Sequence, residues 1–158
     1  MTVFSAPKGL TDKIIGIGRN CAKGEFSEEY KSLINPYLKI SEQHIQGSLK
    51  EHFEAGKKRH IDEVGKALER ICLNREFEGV DRAIALAYGG ELLTATMMSY
   101  ILNSHHLEAS SVPFSKWLVM TDRNFECDTF LLRESKERTD NLVKRIEDGK
   151  VLAIGGFI

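Results

Sequence analysis

The stretch Glu91–Leu102, ELLTATMMSYIL, limits the fold more than any other part of the chain. It is apolar almost all round, whereas a helix lying on a protein surface keeps one polar face. It therefore has to be a central, buried helix with other elements on every side. The neighbouring sequence offers those elements. TVFS (Thr2 to Ser5) and VLAIGG near the other end are short runs suited to strands, and LEASSVPF, KWLVMTD and ECDTFLL give weaker strand signals between them.

Helical patterns separate these runs. LTDKIIGIGRNCAKG carries Ile14, Ile17 and Cys21 at helical spacing and reads as a helix ending near Gly24. Gly16 and Gly18 weaken it by about 1 kcal/mol each relative to alanine. They do not complete GxGxxG, because Cys21 stands at the third glycine position. Ser27, ahead of Glu28-Glu29, reads as an N-cap. Ile45, Leu49 and Phe53 mark one helix face, and Ile61, Val64, Leu68 and Ile71 another, with Gly56-Lys57-Lys58 between them. A last amphipathic helix is predicted from Arg133 to Glu147. Strands alternating with helices predict one α/β domain over residues 1–158, with a mainly parallel sheet and a helix-rich insertion at about 25–78.

Composition narrows the partners. The 22 basic and 23 acidic side chains nearly cancel, which leaves no electrostatic footprint for nucleic acid or an anionic membrane. No apolar run approaches the roughly 20 residues that span a bilayer, and no signal-like segment follows Met1, so a cytoplasmic location is expected. Cys21, Cys72 and Cys127 are too widely spaced for a metal pair and fit reduced thiols. His52, His60, His105 and His106 lack ligand spacing and read as solvated or helix-capping residues, so no metal site is expected.

Three stretches have the make-up of a site. In FSAPKGLTD a strand passes through a small-residue loop into a helix, and ligands of open α/β sheets bind at that end of the strands. Ser5 would stand at the strand edge, with Gly9 and Thr11 at the helix start. There Thr11 is either an N-cap or, with free backbone N–H groups, part of an anion site. In YGGELLT, Glu91 follows two glycines and is expected to open the buried helix, with Thr94 on the same side. Gly90 leaves room for a ligand against the backbone, and a buried carboxylate requires a positive partner, such as a substrate ammonium group. In VMTDRNFE, Thr121, Asp122 and Asn124 follow a strand and suit an Asx-turn.

Taken together these stretches resemble the aspartate kinases of the amino acid kinase family. SAPKGLTD is similar to the family's S-A-x-x-G-x-T loop, which ends in Asn or Asp. YGGELLTATMM is similar to its G-E-x-x helix start, which is followed by Ser or Thr. VMTDRNFE and GKVLAIGGFI resemble its T-D-x-N-F segment and its closing G-F-I strand. The resemblance runs nearly end to end, with residues 24–78 matching only in character. It departs at Leu92, where some members have arginine, and at Glu126-Cys127-Asp128, where the family continues into Ala and Pro.

The resemblance implies transfer of the ATP γ-phosphoryl group to the side-chain carboxylate of L-aspartate, the first step toward lysine, threonine and methionine. It aligns Ser5 and Thr11 with hydroxyl residues near the bound aspartate, and Glu91 with the glutamate that holds the aspartate amino group. Gly9, Gly90, Thr94 and Asp122 would lie nearby. The family's K-F-G-G-T-S strand and G-R-G-G-S-D segment do not occur in this sequence. The expectation is therefore a piece of the catalytic domain, without the first strand, the nucleotide-binding half and the regulatory domains. ATP and Mg²⁺ would belong to the complete enzyme, and none is expected bound to this chain. Uncovered sheet edges and helix faces imply a homodimer or higher oligomer. The competing expectation is a non-catalytic remnant, or an interaction module working through Glu25–Asn74. On the kinase reading the chain alone should phosphorylate no aspartate; turnover clearly above background in a coupled assay would contradict this.

Overall fold

A computed structural model describes residues 1–113, 116, 129 and 131–156. Among these residues three strands form one sheet: β1 (Thr2–Phe4), β2 (Ala109–Ser111) and β3 (Val151–Gly155). All pairs are parallel and the order is β1-β3-β2. Thr2 pairs with Ala153 and Phe4 with Gly155 on one side of β3, and Ala109 pairs with Val151 on the other. Leu152 and Ala153 of the central strand are fully buried, as expected where a strand has neighbours on both edges and helices against it. On the edge strand β1, Val3 is more than half exposed.

The helices run α1 (Leu10–Ala22), a 3-10 helix (Glu28–Ile34), α2 (Asn35–His44), α3 (Ser48–Asn74), α4 (Gly79–Leu86), α5 (Leu92–Ser104) and α6 (Leu132–Glu147). The α/β alternation and the parallel sheet are as the sequence predicts. Expected strand segments within residues 117–128, with Asp122 and Cys127, lie outside the described residues. Ser27 does cap a helix: its Oγ accepts from Glu29 N–H at 3.2 Å.

Helix α5 lies between two layers. Leu93 and Met97 join the large helical core with Phe53, Leu68 and Ile71, and Leu92 joins the sheet-side cluster with Val112, Leu152 and Ile154. With both sides occupied, the helix has no need of a polar face.

Two features differ from the sequence reading. Gly56-Lys57-Lys58 does not separate two helices, because α3 runs through it for 27 residues, about 40 Å at 1.5 Å per residue. Lys57 is buried to 7% exposure, lies over the Phe53 ring and pairs with Glu54 one turn back. Phe53, Ile61, Val64, Leu68 and Ile71 therefore share one helix. Ile45 does not belong to it and instead ends α2 with an extended backbone.

The second difference is that Glu91 opens no helix. α4 passes into α5 through a π-helical turn, Ala87–Glu91, in which Leu92 N–H donates to Ala87 O five residues back. A dipole argument for Glu91 at a helix N-terminus therefore does not apply.

Continuity of α3 has a measurable consequence. A Cβ on Gly56 would meet only Thr96 Cγ2, at an ordinary 3.9 Å. Gly56→Ala should therefore stabilise the protein by about 0.5–1 kcal/mol, raising Tm by about 1–4 °C. A lowered Tm would indicate a break in the helix at this position.

Candidate functional site

Parallel pairing puts the carboxyl ends of all the strands at one edge, where open α/β sheets hold ligands. Ser5 leaves β1 there and is exposed. Gly156 leaves β3 beside it, its N–H donating to Phe4 O at 2.9 Å. A Cβ on Gly156 would lie 3.6 Å from Ser5 Oγ and 3.1 Å from Val3 Cγ1, so glycine permits this approach.

The π-turn reaches the same edge through its glycines. A Cβ on Gly90 would come within 3.1 Å of Ala6 Cβ, and one on Gly89 within 3.0 Å of Ile14 Cδ1. The helix backbone thus lies directly on the loop that follows β1. Ser5 precedes Ala6, and Glu91 follows Gly90, so the two expected ligands flank this contact. Glu91 is half-buried. π-turns inside helices are uncommon and recur at functional sites.

Thr94 has a different role from the one expected. It is buried; its Oγ1 donates to Gly90 O at 3.1 Å and lies 3.1 Å from the Tyr37 hydroxyl. Thr94 is thus engaged in holding its own turn. Tyr37, fully buried on α2, also donates to Gly90 O, at 2.9 Å. Burial, with the Glu91 carboxylate nearby, pushes the Tyr37 phenol up to about 12. Nothing in NPYLKI singles Tyr37 out, since its partners lie 53 and 57 residues away.

At the start of α1, Gly9 occupies the N-cap position with φ 79°, a left-handed conformation that favours glycine. Leu10 N–H donates to Pro7 O and Lys13 N–H to Gly9 O. Thr11 follows inside the first turn, is exposed, and is not the cap. Of the two roles read from the sequence, this removes the N-cap and leaves the anion site at the first turn.

A concavity lies elsewhere, by the exit of β2. It is a cleft of about 560 Å³ walled by Tyr88, Leu92, Thr96, Ser111 and Pro113, with His60 of α3 on the far side. His60 is neither solvated nor capping. Its Nε2 lies 3.0 Å from Thr96 Oγ1, and its ring packs 5.4 Å from that of Tyr88. Thr96 Oγ1 in turn donates to Ser111 Oγ at 3.4 Å. His60 Nδ1 is buried without a hydrogen-bond partner among the described residues. Burial, reinforced by the Arg59 charge, lowers His60 to about 4. The sequence carries no sign of this, because the burial comes from residues 28 and more positions away.

Cys21 and Cys72 are both free thiols, Cys21 buried. Among the described residues no cluster of three His, Cys, Asp or Glu side chains converges on a point that could hold a metal, and no helix is long and apolar enough to cross a membrane. No protein-family model matches the chain, and no curated protein matches its sequence.

The His60 environment sets a pH dependence. The unfolded imidazole titrates near 6.5 and the folded one near 4. Between those values the unfolded chain binds a proton that the folded chain does not. The His60 contribution is thus fully present above about pH 6.5 and is lost as pH falls toward 4. The total is at most about 3.5 kcal/mol, since each pH unit of separation corresponds to about 1.4 kcal/mol. Urea midpoints measured from pH 7 to pH 4 should fall less for His60→Gln than for the parent chain. Equal falls would contradict this origin.

Proposed function

We propose that this chain forms the aspartate-binding side of an aspartate kinase catalytic domain of the amino acid kinase family, acting in the cytoplasm as a homodimer or higher oligomer. One observation carries the reading. Three of the four stretches that bear the resemblance, the SAPKG loop, the GGE turn and the closing strand, meet at the carboxyl edge of a parallel sheet; the fourth, VMTDRNFE, lies outside the described residues. Gly90 lies against Ala6, and Gly156 against Ser5. Residues 80 and more apart in sequence are thereby brought to one edge, as a shared ligand would require.

The chemistry follows from the groups present. The Glu91 carboxylate would accept the α-ammonium group of L-aspartate in a charge-assisted hydrogen bond. The Ser5 hydroxyl, with Thr11 and the first turn of α1, would receive the side-chain carboxylate that takes up the phosphoryl group. Phosphoryl transfer is mostly positioning and charge neutralisation, and this side would supply the positioning. On the resemblance, ATP and Mg²⁺ would belong to the complete enzyme, held by its nucleotide-binding half. No step through them is assigned to this chain.

Calorimetric titration with L-aspartate tests the reading. The chain should bind it, and Glu91→Gln should weaken binding about ten- to a hundred-fold, the loss of a hydrogen bond of about 1.5–3 kcal/mol to a charged group. Ser5→Ala and Thr11→Val should have smaller effects, because each removes one neutral contact. No detectable binding by the parent chain, or unchanged affinity in Glu91→Gln, would overturn the reading.

A further inference from the structure

We propose that the Tyr37 hydroxyl is a clamp on the π-turn at Gly90, and that it thereby positions the Glu91 carboxylate for the ammonium group of an amino-acid substrate. The second half rests on the aspartate-binding reading; the first stands on geometry alone. Tyr37 is a positioning residue here and touches no substrate.

The turn requires an external hold. A π-turn is rarer and less favourable than α-helix, and this one contains two adjacent glycines, each of which weakens a helix relative to alanine. Packing of Gly89 on Ile14 and of Gly90 on Ala6 fixes where the backbone lies. The Gly90 carbonyl belongs to the peptide that joins Gly90 to Glu91, so a hydrogen bond to it bears directly on the residue that carries the carboxylate.

Two hydroxyls are placed to hold that carbonyl. Tyr37 donates to Gly90 O at 2.9 Å and Thr94 donates to it at 3.1 Å, with 3.1 Å between the two hydroxyl oxygens. One carbonyl oxygen therefore accepts from both. Thr94 belongs to the same helix and would move with it. Tyr37 comes from α2, which packs against α5, and ties the turn to a separate element. Its ring is fully buried, so the hydroxyl has little freedom to leave its place. The Glu91 carboxylate is close enough to act on the phenol electrostatically. The same clamp thus sits beside the charge that it orients.

The test uses Tyr37→Phe, which removes the hydroxyl and keeps the ring, with Thr94→Val as a second variant should the first not fold. Amide hydrogen exchange and L-aspartate titration are measured on each. Exchange at residues 89–92 should accelerate about tenfold in Tyr37→Phe relative to mid-α3 amides. The dissociation constant for L-aspartate should rise about three- to ten-fold, the span expected for one neutral hydrogen bond. Unchanged exchange in the turn overturns the clamp, whatever happens to binding. Accelerated exchange with unchanged aspartate affinity overturns the positioning role and leaves a structural tyrosine. If the parent chain binds no L-aspartate, the substrate reading and the positioning role fail together, while the exchange rates still decide the clamp.

Discussion

Burial of α5 on two sides is the constraint on which the rest of the structure depends. Leu93 and Met97 face the helical core, and Leu92 faces the sheet cluster. Burying one such side chain contributes roughly 1.5–3 kcal/mol, and here one helix supplies both clusters. It is also the element through which the two layers communicate. The cleft wall of Leu92 and Thr96 and the Gly90 contact with Ala6 both continue from the helix that forms the core. The candidate site is thus backed by the buried helix, and packed elements position a ligand more precisely than loops do.

What could be read in the sequence, and what could not, follows from the range of the interactions involved. The all-round apolar pattern of ELLTATMMSYIL is a local property, and it correctly predicted a central helix. The β-branched run at Val151–Ile154, the Ser27 cap and the amphipathic α6 are local in the same sense. The continuity of α3 was hidden because glycine and two lysines in succession resemble a break. Only the fold reveals that Lys57 is buried over Phe53 and paired with Glu54.

The site was half legible. Ser5, Gly90 and Glu91 stood out through their glycines and their place after strands or before apolar runs. The π-turn did not, since a helix carried through Gly89-Gly90 depends on contacts with Ile14, Ala6 and Tyr37. Without them the two glycines suggest a boundary, and Glu91 then looks like a helix start. Tyr37 and His60 were illegible for a related reason: each owes its character to burial by distant residues.

The strand order has a consequence for how the molecule assembles. Among the described residues β3 lies between β1 and β2 yet follows both in the sequence, and β1 and β2 do not pair with each other. During synthesis, which proceeds from the N-terminal end, α1 through α5 are complete before β3 is made. The described pairing of β1 and β2 waits on β3, so the sheet edge that carries Ser5 and Gly156 closes onto a helical layer already made.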